Sequence, residues 1–98
     1  MSCLMLALVF TACAGTGAGV GAASGVRAGR SLYLKNCAHC HADDATGDEG
    51  PDLHGLTRSD PWLATRIRNG IKGEMPAFGE KFHDREVKAL IAYLHSLG

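Results

Sequence analysis

Five consecutive residues, Cys37-Ala38-His39-Cys40-His41, constrain this chain more than any other feature. Two thiols three positions apart on a helical turn can reach the two vinyl groups along one porphyrin edge. The imidazole that follows directly then stands beneath the iron. A C-x-x-C-H run is the attachment signature of c-type haem, with Cys37 and Cys40 as thioether sulfurs and His41 as proximal ligand. Thiols consumed in this way are unavailable for a disulfide.

Two other uses of paired cysteines fit worse. Structural zinc takes four ligands, usually as two close pairs, and His54, His83 and His95 supply no second pair. A thioredoxin-like C-x-x-C belongs in a βαβ setting, and no alternating strand pattern occurs anywhere in the chain.

The elements around the motif read as helices separated by Gly- and Pro-rich breaks. Leu32 and Tyr33 followed by Asn36 and Cys37 predict a first helix over 29–40. Residues 42–56 (ADDATGDEGPDLHGL) read as irregular loop. Ser59-Asp60-Pro61 supplies a cap and a proline for the first turn of a helix that stops at Asn69-Gly70. A breaker-rich loop over 71–81 follows. Val87, Leu90, Ile91, Leu94 and Leu97 then line one face of a final helix over 84–97. The expected fold is all-α, with three to four helices.

The second iron ligand is the next question. Met1 and Met5 lie at the extreme N-terminus, so Met75 is the one methionine left in the helical part. It stands in Gly73-Glu74-Met75-Pro76, 34 residues after His41, where breakers can fold a loop over the second haem face. A lone Met more often fills a gap in a core, but this loop has no reason to hold a core residue. His/Met ligation is the pairing that raises the potential in electron-transfer sites. His54, His83 and His95 are rival sixth ligands, and His39 occupies a variable position inside the motif. Of these His54 competes best, although its loop should stay on the proximal side.

The N-terminal quarter reads differently. Residues 3–14 (CLMLALVFTACA) form an apolar run too short for the roughly 20 residues of a bilayer span. The run suits a secretory signal peptide over 1–14, although no Lys or Arg precedes it and the first is Arg27. Ala12-Cys13-Ala14 has the form of an ordinary export site. Phe10-Thr11-Ala12-Cys13 resembles a bacterial lipobox, with Phe10 where Leu is usual and Cys13 as the lipid anchor. Both cleavage readings stand. Residues 15–28 form a Gly/Ala-rich linker, which as a flexible tether would reach roughly 20 Å. Residues 29–98 form the domain. Haem attachment of this kind takes place outside the bacterial cytoplasm, so a periplasmic location is expected, soluble or tethered to a membrane.

Ten acidic and ten basic residues cancel over the whole chain, which gives no case for a nucleic-acid partner. A domain of about 70 residues is at the size where an apolar core alone is marginal. A buried haem would supply the missing apolar body, so the chain without haem is expected to fold poorly.

Taken in order, the pieces are Gly29…Tyr33…Cys37-x-x-Cys40-His41, Gly50-Pro51-x-Leu53-x-Gly55, Ile67-x-Asn69-Gly70…Met75-Pro76-Ala77-Phe78, and Ala92-Tyr93-Leu94-x-Ser96-Leu97. Over residues 29–97 this set resembles the small class I cytochromes c of bacteria, both soluble carriers and the c-type subunits of respiratory oxidases and quinoprotein dehydrogenases. The resemblance implies one covalent haem c wrapped by a small cytochrome c fold. It implies that Pro51 offers its carbonyl to His41, that Leu53 packs on the haem, and that Gly29 and Tyr93 mark the crossing of the first and last helices. Trp62 and Arg66 would lie near the haem propionates, with simple core packing as the alternative for Trp62. Where the family often has Ser or Thr as the cap of its last helix this chain has His83, so Asp84 is the expected cap. The short span from His41 to Met75 implies a more exposed haem edge.

The expected function is one-electron transfer without catalysis by the chain itself, with His41 and Met75 retained on the iron. Electrons would leave through an exposed edge near Ala38 and Cys40, by brief docking on a largely neutral patch. Partners would be redox proteins: an oxidase, a dehydrogenase or a reductase. Two alternatives remain open. One is an open-site haem enzyme or gas sensor, and the other an obligate c-type subunit of an oxidase or dehydrogenase complex.

Overall fold

The computed structural model describes residues 17–98, with side chains from residue 25 onward. Residues 1–16, which include the segment read as a signal peptide and Cys13, lie outside the described residues. Four helices follow in order: α1 (Gly17–Asn36), α2 (Ala38–His41), α3 (Asp60–Asn69) and α4 (Asp84–Ser96). Among the described residues there is no strand, only an isolated bridge between Ile71 and Met75. No described helix is long and apolar enough to cross a membrane. Where the first helix was expected to begin at 29, α1 begins at Gly17, inside the segment read as linker. Glycine is a poor helix former, so this extension draws on propagation from the packed C-terminal half rather than on propensity.

The core sits between α1 and α4. Gly29 lies where the two helices cross: a Cβ there would run into the Ala89 carbonyl and stand 2.8 Å from Tyr93 Cβ. Only a residue without a side chain lets the backbones approach so closely. Tyr33, one turn further along α1, meets Tyr93 with ring centroids 5.3 Å apart. Val87, Leu90, Ile91 and Leu94, on the face picked out by helical periodicity, are all buried. Helix α3 packs on α4 antiparallel, tied at its ends by His95 Nε2 with Asp60 Oδ1 at 2.7 Å and by Arg68 Nη2 with Asp84 Oδ1 at 2.6 Å.

The ends of α3 follow their local chemistry. Ser59 Oγ accepts from the Trp62 N–H at 3.3 Å, Pro61 fills the first turn, and Gly70 closes the helix at φ +63°. At α4 the expected cap is corrected. His83, not Asp84, occupies the cap position, and the Glu86 carboxylate accepts from its N–H at 2.9 Å. Glu86 stands three positions on and can therefore reach back as in a capping box, which frees Asp84 to bind Arg68.

Tyr33 is completely buried, and its hydroxyl donates to the Ala42 carbonyl at 2.6 Å, fastening the end of α2 to α1. Burial, with the Cys37 thiol as the next cause, pushes this phenol up to about 12. Unfolded tyrosine ionises near pH 10. The contribution of Tyr33 to stability is therefore intact below that value and lost as pH climbs through the folded-state value. Tyr33→Phe should flatten the alkaline denaturation curve between about pH 10 and 12; an unchanged slope in that window would reject the assignment.

Candidate functional site

An apolar cavity of about 460 Å³ lies between the α1–α2 segment on one side and α3 with its following loop on the other. Its volume falls in the range of sites that hold a cofactor-sized ligand. Leu53, Leu56, Leu63, Ile67, Phe78 and Leu94 are among the apolar residues that line it. Cys37, Cys40, His41 and Met75 all face it.

The proximal wall is built by a heavily bonded loop. Cys37 sits at the break between α1 and α2, so the two thiols fall on one short turn, and both are free. Burial, and then the neighbouring Cys40, pushes the Cys37 thiol up to about 11, leaving it protonated at neutral pH. His41 Nδ1 lies 2.8 Å from the Pro51 carbonyl oxygen. That contact engages one ring nitrogen and leaves Nε2 available. Gly50 packs on the same ring: a Cβ there would stand 2.7 Å from His41 Cε1. The loop expected to be irregular is in fact folded back on the motif. The Gly50 N–H donates to the Cys40 carbonyl at 2.7 Å, Gly47 to His41 at 2.9 Å and Leu53 to Ala45 at 2.9 Å. Ala42 and Ala45 take positive φ to allow this.

The distal wall depends on Gly70. At φ +63° and ψ −161° its backbone is in a region open almost only to glycine. A Cβ there would also collide with the backbone of Met75 and Pro76. The chain then doubles back, with Ile71 N–H to Met75 carbonyl at 2.9 Å and Met75 N–H to Ile71 carbonyl at 2.8 Å. Phe78 and Gly79 donate to the Ile67 and Arg68 carbonyls, each at 3.0 Å, which fastens the loop to α3.

The rival ligands separate clearly. His54, His83 and His95 do not line the cavity, whereas His39 does. His54 Nδ1 pairs with Asp52 and His95 Nε2 with Asp60, each at 2.7 Å. Among the described residues no three His, Cys, Asp or Glu side chains gather as a metal-binding group.

The rim departs from two expectations. Ala38 is buried at 8 % exposure, so of the two residues expected at an exposed edge only Cys40, beside the exposed His39, reaches the surface. Overall neutrality also conceals a strong asymmetry: residues 42–56 carry Asp43, Asp44, Asp48, Glu49 and Asp52 with no Lys or Arg. The Thr46 hydroxyl and N–H hold Asp44 below the usual carboxylate range, and the His54 N–H and ring do the same for Asp52. Trp62 lines the cavity but remains 38 % exposed, which excludes simple core packing. The guanidinium carbons of Arg58 and Arg66 lie 4.6 and 5.0 Å from its ring centroid. Arg58 was not singled out from sequence, although the four-residue spacing of 58, 62 and 66 contains the signal.

Residues 24–94 match the family of cbb3-type cytochrome c oxidase subunit III. The chain belongs to this family. It is accordingly a c-type cytochrome domain, for which the family implies covalently bound haem c and a role in electron transfer. The cbb3-type oxidase subunit CcoP of Azospirillum sp. strain B510 is 32 % identical over 85 residues, covering 74 % of this chain and 29 % of that protein. The chain thus spans less than a third of the curated relatives it matches. Cytochrome cL from the marine methylotroph Methylophaga aminisulfidivorans superposes with a TM-score of 0.68 at 26 % identity, covering 74 % of this chain and 55 % of that one. The c-type cytochrome KustC0563 superposes with a TM-score of 0.65 at 29 % identity, covering 70 % of this chain and 95 % of that one. The helical cytochrome c architecture is shared with both.

Proposed function

We propose that this cytochrome domain is a one-electron carrier holding a single haem through Cys37 and Cys40, with His41 and Met75 as axial ligands. The observation that carries the reading is the cavity itself. A histidine with one nitrogen engaged and a loop methionine face the same apolar space from different elements, and none of His54, His83 and His95 reaches it.

When bound, haem supplies a couple between ferric and ferrous iron that exchanges one electron. The protein does the rest. Pro51, by accepting from His41 Nδ1–H, fixes the ring and raises the basicity of Nε2. Gly50, having no side chain, leaves the space that the His41 ring occupies. The Ile71–Met75 turn holds the methionine at the cavity wall without relying on its side chain. Leu53 and the other apolar lining residues exclude water. Arg66 and Trp62 line the same cavity and would supply a guanidinium and an indole N–H to the propionates. His41 and Met75 would hold the iron between them and leave it no position for a substrate, which is the arrangement of a carrier and not of a catalyst.

The site of action is the periplasm, in solution or held at a membrane through Cys13, with an oxidase, dehydrogenase or reductase as redox partner. A second reading, an obligate subunit of an oxidase complex, is favoured by the family match, since CcoP is named as such a subunit.

The decisive measurement is the absorption spectrum of the holoprotein. The ferric form should show the weak band near the red edge that reports sulfur on iron, and the ferrous form should not bind carbon monoxide. A missing band together with carbon monoxide binding would establish the open-site enzyme or sensor instead.

A further inference from the structure

The wall that bears Cys37 and the loop that bears Met75 are joined at one polar point. Asn36 is the last residue of α1 and itself faces the cavity. Its Nδ2 donates to the Leu32 carbonyl at 2.9 Å, which fixes the amide and leaves Oδ1 free to accept. Lys81 Nζ donates to that oxygen at 2.6 Å. Among the described residues this is the one hydrogen bond between residues 71–82 and residues 25–56. Every other polar anchor of the loop goes to α3 or to the loop itself, as with Phe78 to Ile67, Gly79 to Arg68 and Ile71 to Met75.

We propose that Asn36 and Lys81 form a latch that positions the Met75 loop across the cavity and sets how readily the methionine leaves the iron. The inference rests on Met75 being the sixth ligand. The bond is short and carries a full charge on its donor, so it is stronger than a neutral amide contact. Lys81 belongs to the turn in which Phe82 N–H returns to the Phe78 carbonyl at 2.9 Å. Phe82 is buried and stacks with Phe78 at 5.2 Å, so a pull on Lys81 is transmitted to the loop rather than lost in a free chain. Without the latch, α3 and its loop remain tied to α4 through Arg68–Asp84 and His95–Asp60, but their separation from α1 is no longer restrained by a hydrogen bond. Both latch residues act through Met75 and touch no substrate; they are positioning residues.

Lys81 is exposed, so replacing it opens no hole in the core. Imidazole added to the ferric holoprotein provides the readout. Its nitrogen forms a bond to iron as the Met75 sulfur bond breaks, with no electron transferred, and the red-edge band disappears. Lys81→Met keeps the aliphatic stem and removes the donor; Asn36→Leu removes the acceptor. Each should lower the imidazole concentration for half-displacement about threefold to tenfold, the double variant no further than either single, and Lys81→Arg much less. Lys81→Met should move the thermal midpoint by less than about 4 °C, as expected of a surface change. An unchanged displacement curve for Lys81→Met, or effects that add in the double variant, would overturn the latch. A wild-type ferric protein lacking the band would overturn the ligand reading itself, a separate result obtained before any variant is made.

Discussion

A chain carrying Cys37→Ala and Cys40→Ala is expected to lose most of its helical signal in far-ultraviolet circular dichroism and to carry no haem through denaturing electrophoresis. The reason lies in how the core is divided. Tyr93 and Val87 are buried away from the cavity, but Tyr33, Leu63, Ile67 and Leu90, equally part of the core, line it together with Leu53 and Phe78. Leaving a hole of about 460 Å³ would cost on the order of 10 kcal/mol at the usual price of cavity volume. That is an upper bound, since the mouth is open, yet it matches the roughly 5–15 kcal/mol that holds a whole domain together. Tyr33 and Leu90, which belong to the contact between α1 and α4, line the cavity too, so without haem that contact weakens together with the packing of α3 and the Met75 loop. Native helicity in the haem-free chain would refute this account.

Met75→Ala should produce the largest change that leaves the fold in place. Its turn is made by Gly70 and by backbone bonds between Ile71 and Met75, none of which uses the methionine side chain. The loop therefore persists while the sulfur is lost. The ferric band near the red edge should vanish, the ferrous protein should bind carbon monoxide, and the reduction potential should fall by on the order of 0.1 V or more, within the roughly 0.8 V that axial ligands command. A spectrum and potential indistinguishable from wild type would show that the sixth ligand lies elsewhere.

What could be read from the sequence was whatever is settled within a few residues. The Cys37–His41 run, the Ser59 cap with Pro61, the stop at Gly70 and the buried stripe of α4 are local patterns, and the structure reproduces each. Gly29 at the helix crossing came through the family pattern and not through spacing. Reading failed where distant or conformational choices decide. Ala42 and Ala45 adopt positive φ despite being alanines, so nothing in their identity announces that the acidic loop folds back onto Cys40 and His41. The start of α1 fell in a glycine-rich stretch that argues against helix. His83 as a cap becomes intelligible only with Glu86 three positions on. Asn36 and Lys81 stand on elements that meet only in the folded chain. Net neutrality was true and uninformative, because it summed a wholly acidic loop with predominantly basic surroundings.

The meeting of α1 with α4 has a consequence for the order of assembly. The attachment run comes before α3 and α4 in the chain, while the helix that closes over Tyr33 comes last. The entropy of bringing such distant segments together must be met before their contacts repay it. In the folded chain Cys37 is half-buried, and burial pushes its thiol up to about 11; before the core forms the same thiol is open to solvent and closer to its ordinary acidity. Thioether formation at Cys37 and Cys40 would therefore be favoured before the first and last helices close on each other.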